Sequence, residues 1–595
     1  MGGNSFVNKK KGVQNMFNVF FKLKWFFKEH RKQYTLAIIL LMAASAIEIM
    51  PPWILGKAID DMTGGSMTAL IVLRYAGLIV LAALVSYVLN FIWQYRLFGG
   101  AIALDRILRK KLMHQFLKMT PTFYEKNRTG DLMAKATNDL NAVTMTAGFG
   151  IMTLIDSTVY MVLIILAMGF FISWKLTFFA MLPIPIMAIL IQYLGKIVHE
   201  RYMTAQAAFG EMNDNVLESI AGTRVIRAYV QERQDEARFG AMSQDVFDKN
   251  MRVAYINGLF MPITKIGTGV CYVIALGLGA VLVSNGEMTV GQLVSFNVYL
   301  GLAVWPMFAI GELINVMQQG SASLDRVQNT LEYEADVKND ATPAYTTEPE
   351  TIGFNQFSFQ YPLSQIKNLE QISLRLQKGE TLGIVGKTGA GKTTFIRQLL
   401  REYPLGDGEI VINDHDLSML TKEQILDWIG YVPQDHVLFS RTIRENILFG
   451  KEDATEEEII EAIRLADFEK DLGNLPLGIE TLVGEKGVSL SGGQKQRVSI
   501  ARALIKNPEV LILDDSLSAV DAKTETKIIE NIQTERAGKT TIITTHRLSG
   551  IQHADEIIVL DDGIIVEHGT HEQLLQLGGW YKEQYDRQQL EEVKK

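Results

Sequence analysis

The residues with the clearest chemistry are Gly386, Lys387, Thr388, Gly389, Ala390, Gly391, Lys392 and Thr393, which fill every required position of the pattern G-x-x-x-x-G-K-[ST]. The glycines let the backbone curl so that several N–H groups point inward at an anion. A following helix adds the positive end of its dipole. Lys392 then reaches the β- and γ-phosphates of a bound nucleotide, and the Thr393 hydroxyl meets a Mg²⁺ ion that bridges them. Thr394, at the start of the predicted helix, completes the nucleotide-binding set.

Two further stretches carry chemistry. Val510 to Leu513 followed by Asp514 and Asp515 is four apolar residues and two acids, the form of a buried parallel strand whose carboxyl end meets a ligand crevice. Asp514 is placed to hold Mg²⁺ through water, and Asp515 to orient or deprotonate an attacking water. Leu490, Ser491, Gly492, Gly493 and Gln494 precede a helical run to Ala503. Ser491 and Gln494 have capping-box spacing, and the two glycines permit close backbone approach to an anion, which by itself defines only a well-capped helix. Tyr361 ends an alternating stretch from Phe357, about 25 residues before the phosphate loop, where its ring suits stacking on adenine.

The elements that position these residues divide the chain. The 595 residues split into an apolar first part and ordinary α/β material after it. Thr381 to Val385 before the loop reads as a strand and Thr394 to Leu400 after it as a helix, the context the loop requires. Ahead of it lie six segments long enough to cross a bilayer: Leu36 to Ile59, Leu73 to Tyr95, Phe149 to Ile172, Leu176 to Leu194, Phe260 to Val283 and Val290 to Val316. The expected organisation is a membrane domain over 1–328, a polar linker over 329–350 and a nucleotide-binding domain over 351–595. Lys9 to Lys32 mixes basic residues with Phe17, Phe20, Phe21, Trp25 and Phe26, suiting a helix in the membrane interface.

Long basic segments with Arg106, Arg109, Lys110 and Lys111, and with Arg224, Arg227 and Arg233, alternate with short turns at Asp60, Ser173 and Asn285. The basic side is cytoplasmic, so the N-terminus and the phosphate loop face the cytoplasm of a multi-pass protein of the plasma membrane. The two inner segments, about 98–148 and 195–259, read as helical extensions, each broken by a short crosswise helix near Thr122 to Asp131 and Leu217 to Tyr229, the candidate contact points with the nucleotide domain. Glu48, Asp156, Lys265 and Glu312 fall in or near the spans, where charge is costly. The plain reading pairs one acid with Lys265. The functional reading has the other acids, Trp305, Phe308, Met261 and Met307 line a cavity for bulky apolar or cationic molecules. A net charge of −8 gives no hint of nucleic-acid binding, and the single Cys271 forms no intrachain disulfide. No removable signal peptide is read.

The second half resembles the nucleotide-binding domain of ATP-binding-cassette transporters. The likeness rests on the phosphate loop, the Asp514–Asp515 strand end and LSGGQ at 490–494, with Gln434 in YVPQD as Q-loop, Ser518 to Asp521 as D-loop and His546 in TTHR as switch histidine. Thr481 to Gly487 resembles the segment that exporters carry before the signature. With six spans ahead, the resemblance covers nearly the whole chain and implies a half-transporter of the type IV exporter fold. In that family two nucleotide domains close head to tail over ATP, each site joining one chain's phosphate loop to the other's LSGGQ. Gln434, Asp514 and Thr393 would serve Mg²⁺, and Ser491 and Gly493 would act in trans.

One position departs from the family pattern: Asp515 stands where active members have Glu. The resemblance then narrows to the degenerate-site subunit of heterodimeric bacterial multidrug exporters, whose partner supplies the glutamate. The expectation is ATP-driven export of amphipathic drugs or lipids by two different chains. A homodimeric lipid flippase and a nucleotide-regulated channel or regulatory subunit are the alternatives.

Overall fold

The computed structural model describes residues 18–340, 342–484 and 490–593. The chain groups into two compact units: residues up to Gln115 together with Gly130–Glu332, and Phe116–Thr129 together with the chain from Tyr333 onward. The short inner segment at 116–129 thus belongs with the second unit.

The first unit is helical. The helix Ala69–Lys118 runs for 50 residues and Glu232–Ser284 for 53. At 1.5 Å per residue each is about 75 to 80 Å long, more than twice a hydrocarbon core. Among the described residues, five stretches are long and apolar enough to cross a membrane: Arg31–Thr63, Ala69–Lys118, Thr129–Met181, Glu232–Ser284 and Val290–Leu331. The sequence predicts six, and the difference lies at the third and fourth. Ser173 is extended (φ −164°, ψ 122°) and its hydroxyl accepts from the Leu176 N–H, so a new helix, Trp174–Met181, begins there. Pro183 then opens another, Pro183–Ala221, because its ring and missing N–H break continuity with the turn before it. The predicted span Leu176 to Leu194 is therefore divided between two helices.

The first span is also broken, at Ile49, just before Pro51 and Pro52. Carbonyls near the break find side-chain donors: Tyr299 Oη donates to Ile49 O at 2.6 Å and Ser295 Oγ to Pro52 O at 2.7 Å. Below them Gly56 faces Gly291, where an added Cβ would lie 1.9 Å from the Gly56 carbonyl, so these helices meet backbone to backbone. Asp60 accepts from the Gly291 N–H at 2.8 Å and caps the partner helix. Cys271 is buried, as its apolar surroundings predict. Of the interfacial segment, residues 9–17 lie outside the described residues; the helices Asn18–Lys22 and Lys24–Glu29 bury Phe26 and expose Phe21.

The second unit holds two sheets. Strands β1 (Thr351–Phe359), β2 (Leu369–Gln377), β4 (Asp407–Ile412) and β5 (His415–Asp416) form an antiparallel sheet in the order β2-β1-β4-β5. Strands β3 (Thr381–Gly386), β6 (Ile429–Val432), β7 (Val510–Asp514), β8 (Thr540–Thr544), β9 (Glu556–Asp561) and β10 (Ile564–Gly569) form the other, in the order β10-β9-β3-β8-β7-β6. It is parallel except for the β9–β10 hairpin. Every residue of β7 and β8 is buried, and their side chains alternate between two cores. Val510 and Ile512 join Phe354 and Phe395 on one face, while Leu511 and Leu513 join Val498 and Ile500 on the other.

The phosphate loop depends on glycines, since Gly386, Gly389 and Gly391 all lie at positive φ, which glycine adopts at no steric cost. Gly386 and Gly391 have φ of 152° and 105°, and a Cβ on Gly391 would lie 2.8 Å from the Asn368 carbonyl. Gly391→Ala is expected to cost about 3 kcal/mol or more. Thermal unfolding of the purified chain checks it: the nucleotide unit loses stability whether or not nucleotide is present.

Candidate active site

Strand order explains how distant residues converge. β3, β8 and β7 are neighbours, with Ile384 beside Thr544 and Thr544 beside Asp514. Each strand's carboxyl end leads into a different piece: β3 into the phosphate loop, β7 into Asp514 and Asp515, β8 into His546. All three pieces lie at the carboxyl ends of neighbouring strands, the place where parallel sheets take ligands.

The helix Lys392–Leu399 starts at Gly391 with no side-chain cap, so its first N–H groups lack a side-chain acceptor. Lys392 is buried, and Nζ donates to the carbonyls of Gly386 and Lys387 at 2.8 and 3.0 Å. Burial pulls its pKa down, against the opposing pull of Asp515 and Asp514. A cation and open backbone donors at one loop fit a polyphosphate. Lys387 at the rim pairs with Asp561 at 3.2 Å. Thr388, Gly389 and Ala390 form the turn, with the Ala390 N–H on the Lys387 carbonyl.

Asp514 is 1 % exposed and is held by hydroxyls. Thr544 Oγ1 donates to its Oδ1 at 2.6 Å, Thr393 Oγ1 to the same atom at 3.2 Å, and Tyr431 Oη to Oδ2 at 3.5 Å. The sequence reading missed Thr544 and Tyr431. Thr544 stands two residues before His546, and Tyr431 lies on β6 beside β7, so pairing that only the fold specifies brings both to Asp514. Among the described residues no cluster of three His, Cys, Asp or Glu side chains forms a metal cage. A hydroxyl beside a buried carboxylate fits Mg²⁺ that takes most ligands from phosphate and water.

Asp515 has φ 46°, and its N–H donates to the Thr544 carbonyl at 2.9 Å and to Thr544 Oγ1 at 3.0 Å. Burial raises its pKa, with His546 and Lys392 pulling the other way. His546 is held below its ordinary value by desolvation and then by the Lys392 charge. Lys392, Asp515 and His546 are thus electrostatic neighbours. Gln434 is exposed in the loop after β6. Tyr361 packs its ring on Tyr403, centroids 4.8 Å apart, and donates to Thr394 Oγ1 at 3.1 Å.

The LSGGQ segment forms the predicted capping box: Ser491 Oγ accepts from Gln494 N–H and Gln494 Oε1 from Ser491 N–H, opening the helix Gly492–Leu504. Gln494 also donates to Asp471 at 3.0 Å, and Gly493 backs closely onto the Ala519 carbonyl. Among the described residues no hydrogen bond joins 491–494 to the phosphate loop. Arg547, also missed from sequence, ties the segments together: it donates to the carbonyls of Ser518 and Val520 and pairs with buried Glu525 at 2.9 Å. Of Thr481 to Gly487, residues 485–487 lie outside the described residues.

In the membrane unit Trp305 Nε1 donates to Asp156 Oδ2 at 3.1 Å. No ion pair involves Lys265 among the described residues, so the pairing the sequence suggested is not formed; the recorded partner of Asp156 is the Trp305 indole.

Besides His546, two further histidines of the nucleotide unit report on pH. Burial holds His436 and His553 below the ordinary 6.5. The unfolded chain therefore binds protons that the folded chain refuses. Their contribution is intact above about pH 6.5 and is lost as pH falls through that value toward the lowered folded pKa. Tm is expected to drop between pH 7.5 and 5.5, and His553→Gln to flatten the drop, as read by thermal melts across pH.

A family model described as the ABC transporter transmembrane region matches residues 34–307, and one described as ABC transporter matches 369–518. The chain belongs to the ATP-binding-cassette transporters, as an exporter half with a membrane domain followed by a nucleotide-binding domain. It is 59% identical over 575 residues to the probable multidrug resistance ABC transporter ATP-binding/permease protein YheI of Bacillus subtilis (strain 168), covering 97% of this chain and 98% of the relative. It is 41% identical over 573 residues to the multidrug resistance-like ATP-binding protein MdlA of Escherichia coli (strain K12), covering 96% and 97%. A solved bacterial Atm1-family ABC exporter with ATP bound superposes with TM-score 0.78 at 27% identity, covering 94% of this chain and 99% of that one. The chain is therefore an ATP-binding, multi-pass membrane protein whose ATPase activity is coupled to transport.

Proposed function

We propose that this chain is one half of a heterodimeric exporter, paired with a different half-transporter that carries Glu where this chain has Asp515. The observation that carries the reading is the short acid: Asp515 directly follows β7, where the family resemblance puts the water-orienting carboxylate, while the LSGGQ helix keeps its full cap. The altered acid and the intact signature belong to different composite sites. ATP at this chain's loop would be held by residues 386–394, with Tyr361 on the adenine, and would switch the machine through Gln434 and His546. Thr393, Asp514 and Gln434 would hold Mg²⁺, which would neutralise phosphate charge. Ser491, Gly492, Gly493 and Gln494 would complete the partner's active site.

The cargo is amphipathic drugs or lipids, moved out of the cytoplasm across the plasma membrane. Support comes from the multidrug relatives and from the intramembrane Asp156, held by the Trp305 indole. A second chain is supported by the crosswise helix Thr223–Ala228, which buries none of its residues and leaves Val225 60% exposed, with Tyr229 just beyond it 73% exposed. Native mass spectrometry of the assembly purified from its own membranes tests the reading. Two different half-transporter masses support it. Two copies of this chain overturn it and favour a homodimeric flippase.

A further inference from the structure

The tyrosine at the adenine position is the first link of a side-chain path that leaves the nucleotide site. The Tyr361 ring packs edge-on against Tyr403 at 4.8 Å and 78°, with Phe359 closing the cluster at 5.0 Å from Tyr361. Tyr403 is 1% exposed, and its hydroxyl donates to Glu125 Oε1. Glu125 sits on the short helix Pro121–Lys126, within the inner segment that groups with the nucleotide unit. That helix is fixed on its other side: Thr120 donates to Asp336, and the buried Phe123 ring lies 5.0 Å from Tyr333. The sequence leads directly from it into the long helices on either side.

We propose that Tyr403 is a positioning residue that transmits nucleotide occupancy at Tyr361 to the Pro121–Lys126 helix through Glu125. The inference rests on Tyr361 stacking on adenine, as read above. A stacked base fixes the plane of the Tyr361 ring. Close packing leaves the Tyr403 ring no room to ignore that plane. The Tyr403 hydroxyl, buried among aromatic rings and Arg397, has Glu125 as its acceptor, so ring position and helix position are linked by one charge-assisted hydrogen bond. Burial and the neighbouring Glu125 both raise the Tyr403 pKa, so it remains a donor at every working pH.

The test is hydrogen exchange over residues 116–129 of the full-length chain in lipid nanodiscs, with and without saturating ATP in EDTA, alongside ATP affinity by equilibrium dialysis. Wild-type chain is expected to gain about tenfold protection on the 121–126 helix when ATP binds, the scale of one hydrogen bond to a charged group. Tyr403→Phe keeps the ring and loses that gain, with ATP affinity within about twofold of wild type. Glu125→Ala, at an exposed side chain, does the same, and the double variant is no worse than either single. Glu125→Gln retains an acceptor oxygen and most of the gain. If ATP binds and Tyr403→Phe keeps full protection, or wild type shows none, the path is overturned while the nucleotide site stands. If ATP does not bind wild type at all, both readings fall.

Discussion

Asp515→Glu raises ATP turnover by the purified chain on the order of 10²-fold, the scale on which a displacement of about 1 Å acts at a reacting centre. The backbone at this position has no freedom to make up for the missing methylene. Its N–H is held twice by Thr544, at 2.9 and 3.0 Å, and its φ of 46° is a conformation with few neighbours in allowed space. Asp514, one residue earlier, is pinned by Thr544 and Thr393. On the proposed reading the carboxylate of Asp515 would stop short of the attacking water by about the length of a bond, and a longer side chain would restore the reach. Phosphate release by wild type and variant, side by side in lipid, reads the ratio. Fast turnover by the wild-type chain alone would remove the case for a partner with Glu.

What was legible in the sequence follows the range of the interactions. The phosphate loop, the Asp514–Asp515 strand end and the Ser491–Gln494 capping box are local patterns, fixed by residues within about ten positions of one another. Each reappears in the structure as the spacing predicts. Short helices also stand near the expected breaks of the inner segments, at Pro121–Lys126 and Thr223–Ala228. What stayed hidden depends on strand order. Tyr431 and Thr544 reach Asp514 because β6 and β8 flank β7, and Arg547 reaches Ser518 because β8 ends beside the turn after β7. The division of the fourth span had a local signal in Pro183 and Pro185, outweighed in the reading by the hydropathy of the residues around them. The grouping of Phe116–Thr129 with the nucleotide unit was signalled only as a candidate contact at the break near Thr122 to Asp131; the contacts that carry it, such as Tyr403 with Glu125, depend on the fold.

The proposed pairing of two different chains predicts the other large effect. Ser491→Ala is expected to lower hydrolysis by the purified two-chain assembly about 10² to 10³-fold, the loss seen when a preorganised donor to developing charge is removed. Part of the change is structural, since the Ser491 hydroxyl also caps its helix and the cap contributes about 1 kcal/mol. ATP affinity at this chain's own loop separates the two contributions, because a local loss at Ser491 leaves Lys392 and its neighbours untouched. Lys392→Ala does the reverse. It takes away the buried cation of this loop; on the proposed reading ATP would then leave this chain's site, while assembly hydrolysis would fall by less than about tenfold because the competent site would use the partner's loop. In a homodimer each site needs both residues from the same gene product, so the two variants would fall together. Steady-state ATPase of the assembly with each variant in turn distinguishes these patterns: unequal losses require two different sites, and equal losses leave Asp515 as the acid of a working pair.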